Sequence, residues 1–386
     1  MTTINNIYGV DMATVNKIYA DDSVDLPAGE GGQTATWLSG YTYRKAITIS
    51  GATVSGVETD FPVLVRIASD NDLRTTGNSG HVQNGSGYDI AFADAYGNEY
   101  YYDRLVYAAA TGQWYGYVQV PTLTSGTDTT FYLYYGNSSI STDQANRRTW
   151  DEYYQAVYHC INTPGFALHA GCPDATVRRA HGEAFSGSTD YLPARQTGKI
   201  YYSHYYDISN RDKINIPDQM LAGLDETGGT IELWMKPDSS AVNQRVVTCD
   251  NESRAGAFIA QQNLDMMIFY SAGTTIGFRV AIAVVSYNGS YSTGSWYHVV
   301  ATYDGTNRKV YVNGVDTGAT TGGPGANAEY SGLGWGHGVT DYTYGGNIEE
   351  VRISNTVRSA EYARLCYENQ NAPTDFYVIG DEEESS

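Results

Sequence analysis

Two pairs of glutamates carry the clearest catalytic potential in this chain, Glu226 with Glu232 and Glu349 with Glu350. Glycoside hydrolysis needs one carboxyl group as acid and a second as nucleophile or base, about 5 to 10 Å apart. The first pair is separated by a Gly-Gly turn, and the second is adjacent, so that on a strand its side chains point to opposite faces. Carboxylates outside a paired geometry belong to a solvated surface, and that is the expectation for both pairs. His159, Cys160, His169, Cys172 and His181 fall within 23 residues. The spacing His169-x-x-Cys172 is that of tetrahedral zinc ligands, but a second such pair is missing. Cys160 and Cys172 read equally as a disulfide or as free buried thiols. A third group lies in GLGWGHGVTDYTYGG (332–346). There Trp335, Tyr342 and Tyr344 offer rings that stack on the apolar faces of sugars, and His337 and Asp341 offer polar groups that fix hydroxyls. The competing reading makes Leu333 and Trp335 alternate core residues of a strand and the tyrosines loop packing. The chain has no Gly-rich phosphate loop, no Gly-x-Ser-x-Gly elbow and no His-Glu-x-x-His.

The elements that must position these groups are strands. With 35 Tyr and 42 Gly against 10 Pro in 386 residues, the composition describes β-strands joined by tight turns. A chain of this length exceeds what one core usually organises, so two domains plus tails are expected. Acids outnumber bases 43 to 23, and the formal charge of −20 disfavours phosphate backbones and anionic membranes as partners. Nucleic-acid binding and membrane insertion are therefore not expected, and no window approaches the ~18 apolar residues of a spanning helix. Four cysteines are too few to frame the fold with disulfides. At the N-terminus, Ile4-Asn-Asn-Ile-Tyr8 returns as Val15-Asn-Lys-Ile-Tyr19, with Asn, Gly and Asp breaking the apolar stretch that an export signal needs.

Residues 24–36 have linker composition, and strand-like runs follow at 41–50, 61–67, 88–94, 114–120 and 130–136. YTYRKAITISG, TDFPVLV, YDIAFADAYGNEY, VQVPTLTSGTDTTFYLYYGN and RRTWDEYYQAVYH resemble, in order and spacing, a β-domain family of unknown function found in bacterial surface proteins and phage virion proteins. The resemblance covers roughly residues 37–160, with the family's Trp displaced to Trp37. After an aperiodic stretch, GTIELWMKPDS, GSWYHVVATYDGTNRKVYVNGVDTG and GNIEEVRISNTVRSAEYARLCYE resemble the laminin-G-like branch of the concanavalin A-like jelly-roll superfamily, over roughly 198–381. The ending APTDFYVIGDEEE resembles the tail that closes such a domain.

These resemblances imply an all-β chain of two antiparallel β-sandwiches, the second a jelly roll. The expected division is a docking segment and linker (1–36), a first sandwich (37–155), a connection or insertion (156–197), and a jelly roll with a short helix and an acidic tail (198–386). Ser359 is the expected N-cap of that helix, with Glu361 in its first turn. The glucanases of the superfamily carry Glu-x-Asp-x-(x)-Glu on one strand, a string this chain lacks, so no enzyme activity is expected. Calcium is the one cofactor the resemblance implies, at Asp212 and Glu349, with glutamate at the second position where the family often has aspartate. The leader resembles the N-terminal segments of some phage structural proteins. The expected function is thus that of a virion surface protein, a fibre, spike or decoration component. Ile7, Tyr8, Ile18 and Tyr19 would dock on other virion proteins, and oligomerised sandwiches would meet host-surface glycans. A glycan-degrading hydrolase and a bacterial surface adhesin are the alternatives.

Overall fold

The computed structural model describes residues 6–7, 10–11, 35–165, 167, 170–184, 191–217, 228–241, 244–249, 266–271, 275–280, 283–289, 291–321, 332–335 and 343–386. Residues 1–36 and 37–386 form separate units. In the first unit, β1 (Asn6–Ile7) and β2 (Val10–Asp11) pair antiparallel, with Ile7 opposite Val10. The other expected anchors, Tyr8, Ile18 and Tyr19, lie outside the described residues.

The second unit begins with β3 (Tyr43–Ile49), β4 (Val57–Ile67), β5 (Ala91–Ala93), β6 (Tyr102–Ala108), β7 (Gln113–Thr124) and β8 (Thr129–Tyr135). β4, β7 and β6 make one sheet, and β3, β8 and β5 belong to the facing one. Ile47, Val63, Val65, Trp114, Val118, Phe131 and Leu133 meet between them. The expected turn at 94–98 forms because the Asp94 carboxylate accepts from the backbone N–H groups of Tyr96 and Asn98.

A second sandwich follows, with β9 (Tyr154–Tyr158), β10 (Glu183–Ala184), β11 (Ala194–Thr197), β12 (Tyr202–Tyr206), β13 (Ile214–Asn215), β14 (Gly229–Pro237), β15 (Gln244–Cys249) and β16 (Met266–Ser271). It continues with β17 (Thr275–Val280), β18 (Ala283–Asn288), β19 (Tyr297–Tyr303), β20 (Asn307–Val312), β21 (Val315–Thr321), β22 (Gly332–Leu333) and β23 (Gly346–Ser354). One sheet has the order β10-β13-β22-β15-β16-β17-β18. The other runs β11-β12-β23-β14-β19-β20-β21, with β9 also on β23. Strand β19 is buried along its whole length, as its double apolar face predicts. Helices α1 (Ala360–Asn371) and α2 (Pro373–Phe376) and strand β24 (Tyr377–Glu384) complete the chain. Ser359 caps α1, its hydroxyl accepting from Tyr362 N at 2.8 Å.

The strand pairing departs from the expected boundaries in two places. Strand β9 straddles the end set at 155 and pairs with β23 in the second sandwich, while the supposed connection supplies β10 and β11. The C-terminal tail, expected to close the jelly roll, instead pairs along β3, Tyr377 opposite Ile49 and Glu384 opposite Tyr43. The first sandwich is therefore built from both ends of residues 37–386. Helix α1 serves both halves. Tyr362, Leu365 and Cys366 enter the first core, and Ala363 packs on Val300 and Tyr311 of the second sandwich.

Between the halves, the outer face of the β14/β23 sheet packs on the β4–β7–β6 sheet. Leu64, Tyr117, Trp150, Tyr154, Val157, Ile200 and Trp234 form a separate apolar cluster there. The alternation of β14 explains the geometry. Ile231, Leu233 and Met235 face the second core, which leaves Glu232 and Trp234 on the face that the first sandwich covers.

Candidate functional site

A continuous chain of buried charges runs through this junction. Asp103 Oδ2 of β6 accepts from Trp150 Nε1 at 2.8 Å and lies 3.0 Å from His159 Nε2. His159 Nδ1 stands 2.7 Å from Glu350 Oε1, whose second oxygen lies 3.5 Å from Arg352. Arg352 donates to Glu232 Oε1 at 3.2 Å, and Glu232 also takes His298 Nε2 at 3.1 Å, the Tyr362 hydroxyl at 2.9 Å and Gln370 at 3.2 Å. Tyr117 stacks on His159 and lies under the Arg352 guanidinium. A bulge in β23 makes this possible. Arg352 is paired with Glu232 but Glu349 with Trp234, and Glu350 takes a left-handed φ of 54°.

Where the chain of charges reaches the surface, Asp103 and His159 line a cleft of about 450 Å³, together with Arg104, Asp143, Asn146 and Arg147 from the first sandwich and Cys160, Asn162 and Asp174 from the second. Arg104 holds Asp143 at 2.7 Å. Arg147 donates to the carbonyls of Asp174 and Thr176 across the junction. The recess thus offers donors and acceptors of both signs at the meeting of two rigid sheets, the kind of place where polyhydroxylated ligands are held.

The charges are set by their partners. Burial disfavours the His159 imidazolium, but Glu350 and Asp103 outweigh it and lift the pKa from 6.5 to about 10. Burial likewise opposes the Glu232 carboxylate, but Arg352, His298 and Tyr362 bring it down to about 2. Glu349 is pushed up to about 8 by burial and by Glu350, against the pull of backbone N–H groups. His159 is thus a fixed cation near neutrality, unsuited to general-base work.

A pH profile follows from the signs. The contribution of Glu232 is full above its free value of 4.5 and is lost as pH falls to about 2. That of Glu349, whose folded pKa is raised, is full below 4.5 and is lost as pH climbs to about 8. That of His159 is full below 6.5 and is lost as pH climbs to about 10. From these three groups the melting temperature is expected to peak near roughly pH 5, each arm worth on the order of a few kcal/mol. Scanning calorimetry from pH 3 to 10 checks this. His159→Gln should flatten the profile between pH 8 and 10, where His159 alone of the three still titrates, and an unchanged slope there would contradict the assignment.

The residues singled out in the sequence land as follows. Glu232 is not solvated surface but a buried member of the junction, as is Glu350, and Glu226 lies outside the described residues. Glu349 points into the 198–201 turn, accepting from Ile200 N at 3.0 Å and Tyr201 N at 2.9 Å and also from Lys199 N. A Cβ on Gly198 would stand 2.4 Å from its Oε2, so only glycine allows this approach. A carboxylate enclosed by N–H donors is the reverse of a cation ligand, and Asp212 accepts from Asp207 N at 2.8 Å. Neither belongs to a cluster of three ligating side chains among the described residues, so the expected calcium pair does not fit the ion. Tyr344 is wholly buried in the second core, and Trp335 is 9 % exposed, with Lys213 Nζ 5.0 Å from its ring centroid. They are packing residues rather than a presented sugar platform, while His337, Asp341 and Tyr342 lie outside the described residues. Of the five residues read for zinc, Cys160 and Cys172 meet, their sulfurs 3.5 Å apart. His159 is taken by the ion pairs, His181 Nδ1 accepts from Asp174 N, and His169 lies outside the described residues. Missed altogether were Asp103 and Arg104, since YDRLVYA places charge where strand periodicity asks for apolar residues.

Among the described residues no helix is long and apolar enough to cross a membrane. No curated protein matches the chain. Among solved structures, domain 4 of AbnA, a GH43 extracellular arabinanase from Geobacillus stearothermophilus in complex with arabinotriose, is similar at 21 % identity over 55 % of this chain and 96 % of that one, with a TM-score of 0.37. The receptor-binding domain of botulinum neurotoxin mosaic serotype C/D is similar at 15 % identity over 56 % of this chain and 51 % of that one, with a TM-score of 0.39. This chain thus spans about half the length of that toxin domain. A SAP-like pentraxin from Limulus polyphemus is similar at 14 % identity over 41 % of this chain and 82 % of that one, with a TM-score of 0.30. Residues 209–363 match the laminin-G-type family described as the concanavalin A-like lectin/glucanases superfamily, and the second sandwich is accordingly a jelly-roll domain of that type.

Proposed function

We propose that this protein is a non-catalytic adhesin carried on the surface of a bacteriophage particle, its two sandwiches forming one head that holds host-surface glycans in the junction cleft. The observation that carries the reading is the commitment of Glu232 and Glu350. Both are consumed by Arg352, His298 and His159 beneath the surface, while the cleft above them keeps Arg104 and Asp143 at its rim. A site with fixed ion pairs and no free carboxyl pair is built to bind sugars, not to cleave them. The jelly-roll match supports the carbohydrate part of the proposal. The virion part rests on the resemblance of residues 37–160 and of the doubled Ile-Tyr leader to phage proteins, and oligomerisation would turn weak glycan contacts into avidity.

Purified particles should contain the chain at fixed copy number. Deleting residues 1–23 should leave residues 37–386 folded and remove the protein from particles; normal incorporation of the shortened chain would defeat the docking role. Host polysaccharide should bind and remain uncleaved. Arg104→Ala should weaken that binding about tenfold, the loss of roughly 1.4 kcal/mol that one charged hydrogen bond supplies. Depolymerisation that disappears in Glu232→Gln would instead favour the hydrolase.

A further inference from the structure

We infer that Cys160, Cys172 and His204 form a buried binding site for a thiolate-preferring divalent cation, zinc in the first instance. The ligand atoms of these three side chains lie within 4.8 Å of one another, and all three residues are buried. The two sulfurs are 3.5 Å apart, near the ~3.8 Å that two thiolates span on a tetrahedral zinc at about 2.3 Å each.

Three separate parts of the second sandwich converge to make the site. Cys160 follows β9 in a left-handed conformation, φ 57°. Cys172 is bridged to Gly182, where a Cβ would stand 3.2 Å from that of Cys172 and 2.7 Å from Ile214, so the close approach needs glycine. His204 lies in β12, opposite Ile348 of β23.

The imidazole supplies the independent sign of a ligand. His204 is 0 % exposed, its Nε2 lies 3.1 Å from both the carbonyl and the side-chain oxygen of Asn162, and its buried Nδ1 has no hydrogen-bond partner. With Nε2 donating to Asn162, Nδ1 carries the lone pair. This is the arrangement in which an outer carbonyl fixes the tautomer of a metal-bound histidine. Asn162 is itself held, its amide donating to Ala170 O at 2.9 Å. Burial raises the Cys160 thiol, whereas the hydrogen bond from Cys160 and the presence of His204 lower that of Cys172 against burial. Binding displaces the remaining thiol protons to solvent, so uptake weakens in acid. Cys160 also lines the junction cleft, which gives the ion a way in.

The test uses the full chain, purified under reducing conditions and given zinc or cobalt(II). About one metal per chain is expected after dialysis, with a thiolate-to-cobalt charge-transfer band in the near ultraviolet. Cys172→Ser and His204→Ala should each lose the metal at least tenfold, while Cys366→Ser keeps it. A strong chelator should lower the melting temperature of the wild type alone, a readout that does not depend on the variants folding. Reduced wild-type protein that takes up no zinc and gives no cobalt band would overturn the site, as would a Cys160–Cys172 disulfide that forms in the presence of equimolar zinc.

Discussion

Arg352→Met is expected to lower the melting temperature on the order of 10 °C, and to do so for both sandwiches in one transition. Arg352 is 1 % exposed and is the cation between Glu232 and Glu350. Taking it away leaves two acids below ground with only histidines to balance them, and breaking such a pair costs about 3 to 5 kcal/mol. The residue also fills the space beside Tyr117 and Trp150, which methionine partly replaces, so the effect reads charge more than volume. Because the network joins β6 of the first sandwich to β14 and β23 of the second, calorimetry should show one peak that shifts as a whole. Adding Glu232→Gln to Arg352→Met should return part of the loss, since the double variant buries one charge fewer. Two resolved peaks, with only the jelly roll shifted, would refute the shared network.

Removing residues 377–386 should have an effect of similar size on the first sandwich alone. Strand β24 seats Tyr377 and Ile379 against the first core, and its Glu382 takes the Tyr135 hydroxyl at 2.6 Å and His81 at 2.7 Å. Glu383 pairs with Arg44 at 2.7 Å. Without it, β3 presents an unpaired edge, the template for aggregation. The shortened chain should lose protease resistance across 37–150 while the jelly roll persists. A fragment of residues 37–155 should fail to fold alone but gain protection when a peptide of residues 372–386 is added. Equal protease resistance with and without the tail would show that β24 is dispensable.

The strands whose residues alternate or run apolar could be read directly from the chain, as could the 94–98 turn and the Ser359 cap, because each depends on neighbours within a few residues. What could not be read depends on distant charges. YVIGDEEE looks like a solvated acidic tail, and becomes a strand only because Arg44, His81 and Tyr135 answer its acids from the first hundred and fifty residues. Glu232 and Glu350 look like surface carboxylates until Arg352, His298 and His159 are brought beside them. His204 stood in YYSHYY with no spacing to tie it to either cysteine, and only the pairing of β12 with β23 delivers it.

The return of β24 to β3 also orders events during synthesis. Arg44 and Glu383 are 339 residues apart, and at ribosomal speeds of about 5 to 20 residues per second the earlier strand waits roughly 20 to 70 s for its neighbour. The jelly roll, whose strands emerge in between, can fold first and become the template on which its older neighbour later closes. A ribosome that stalls short of residue 377 therefore releases an unclosed clasp rather than a slightly shortened protein, and such a product is marked for proteolysis before it can be assembled. Arg44, before its partner arrives, is the charge that keeps the waiting edge from zipping onto the same edge of another nascent chain.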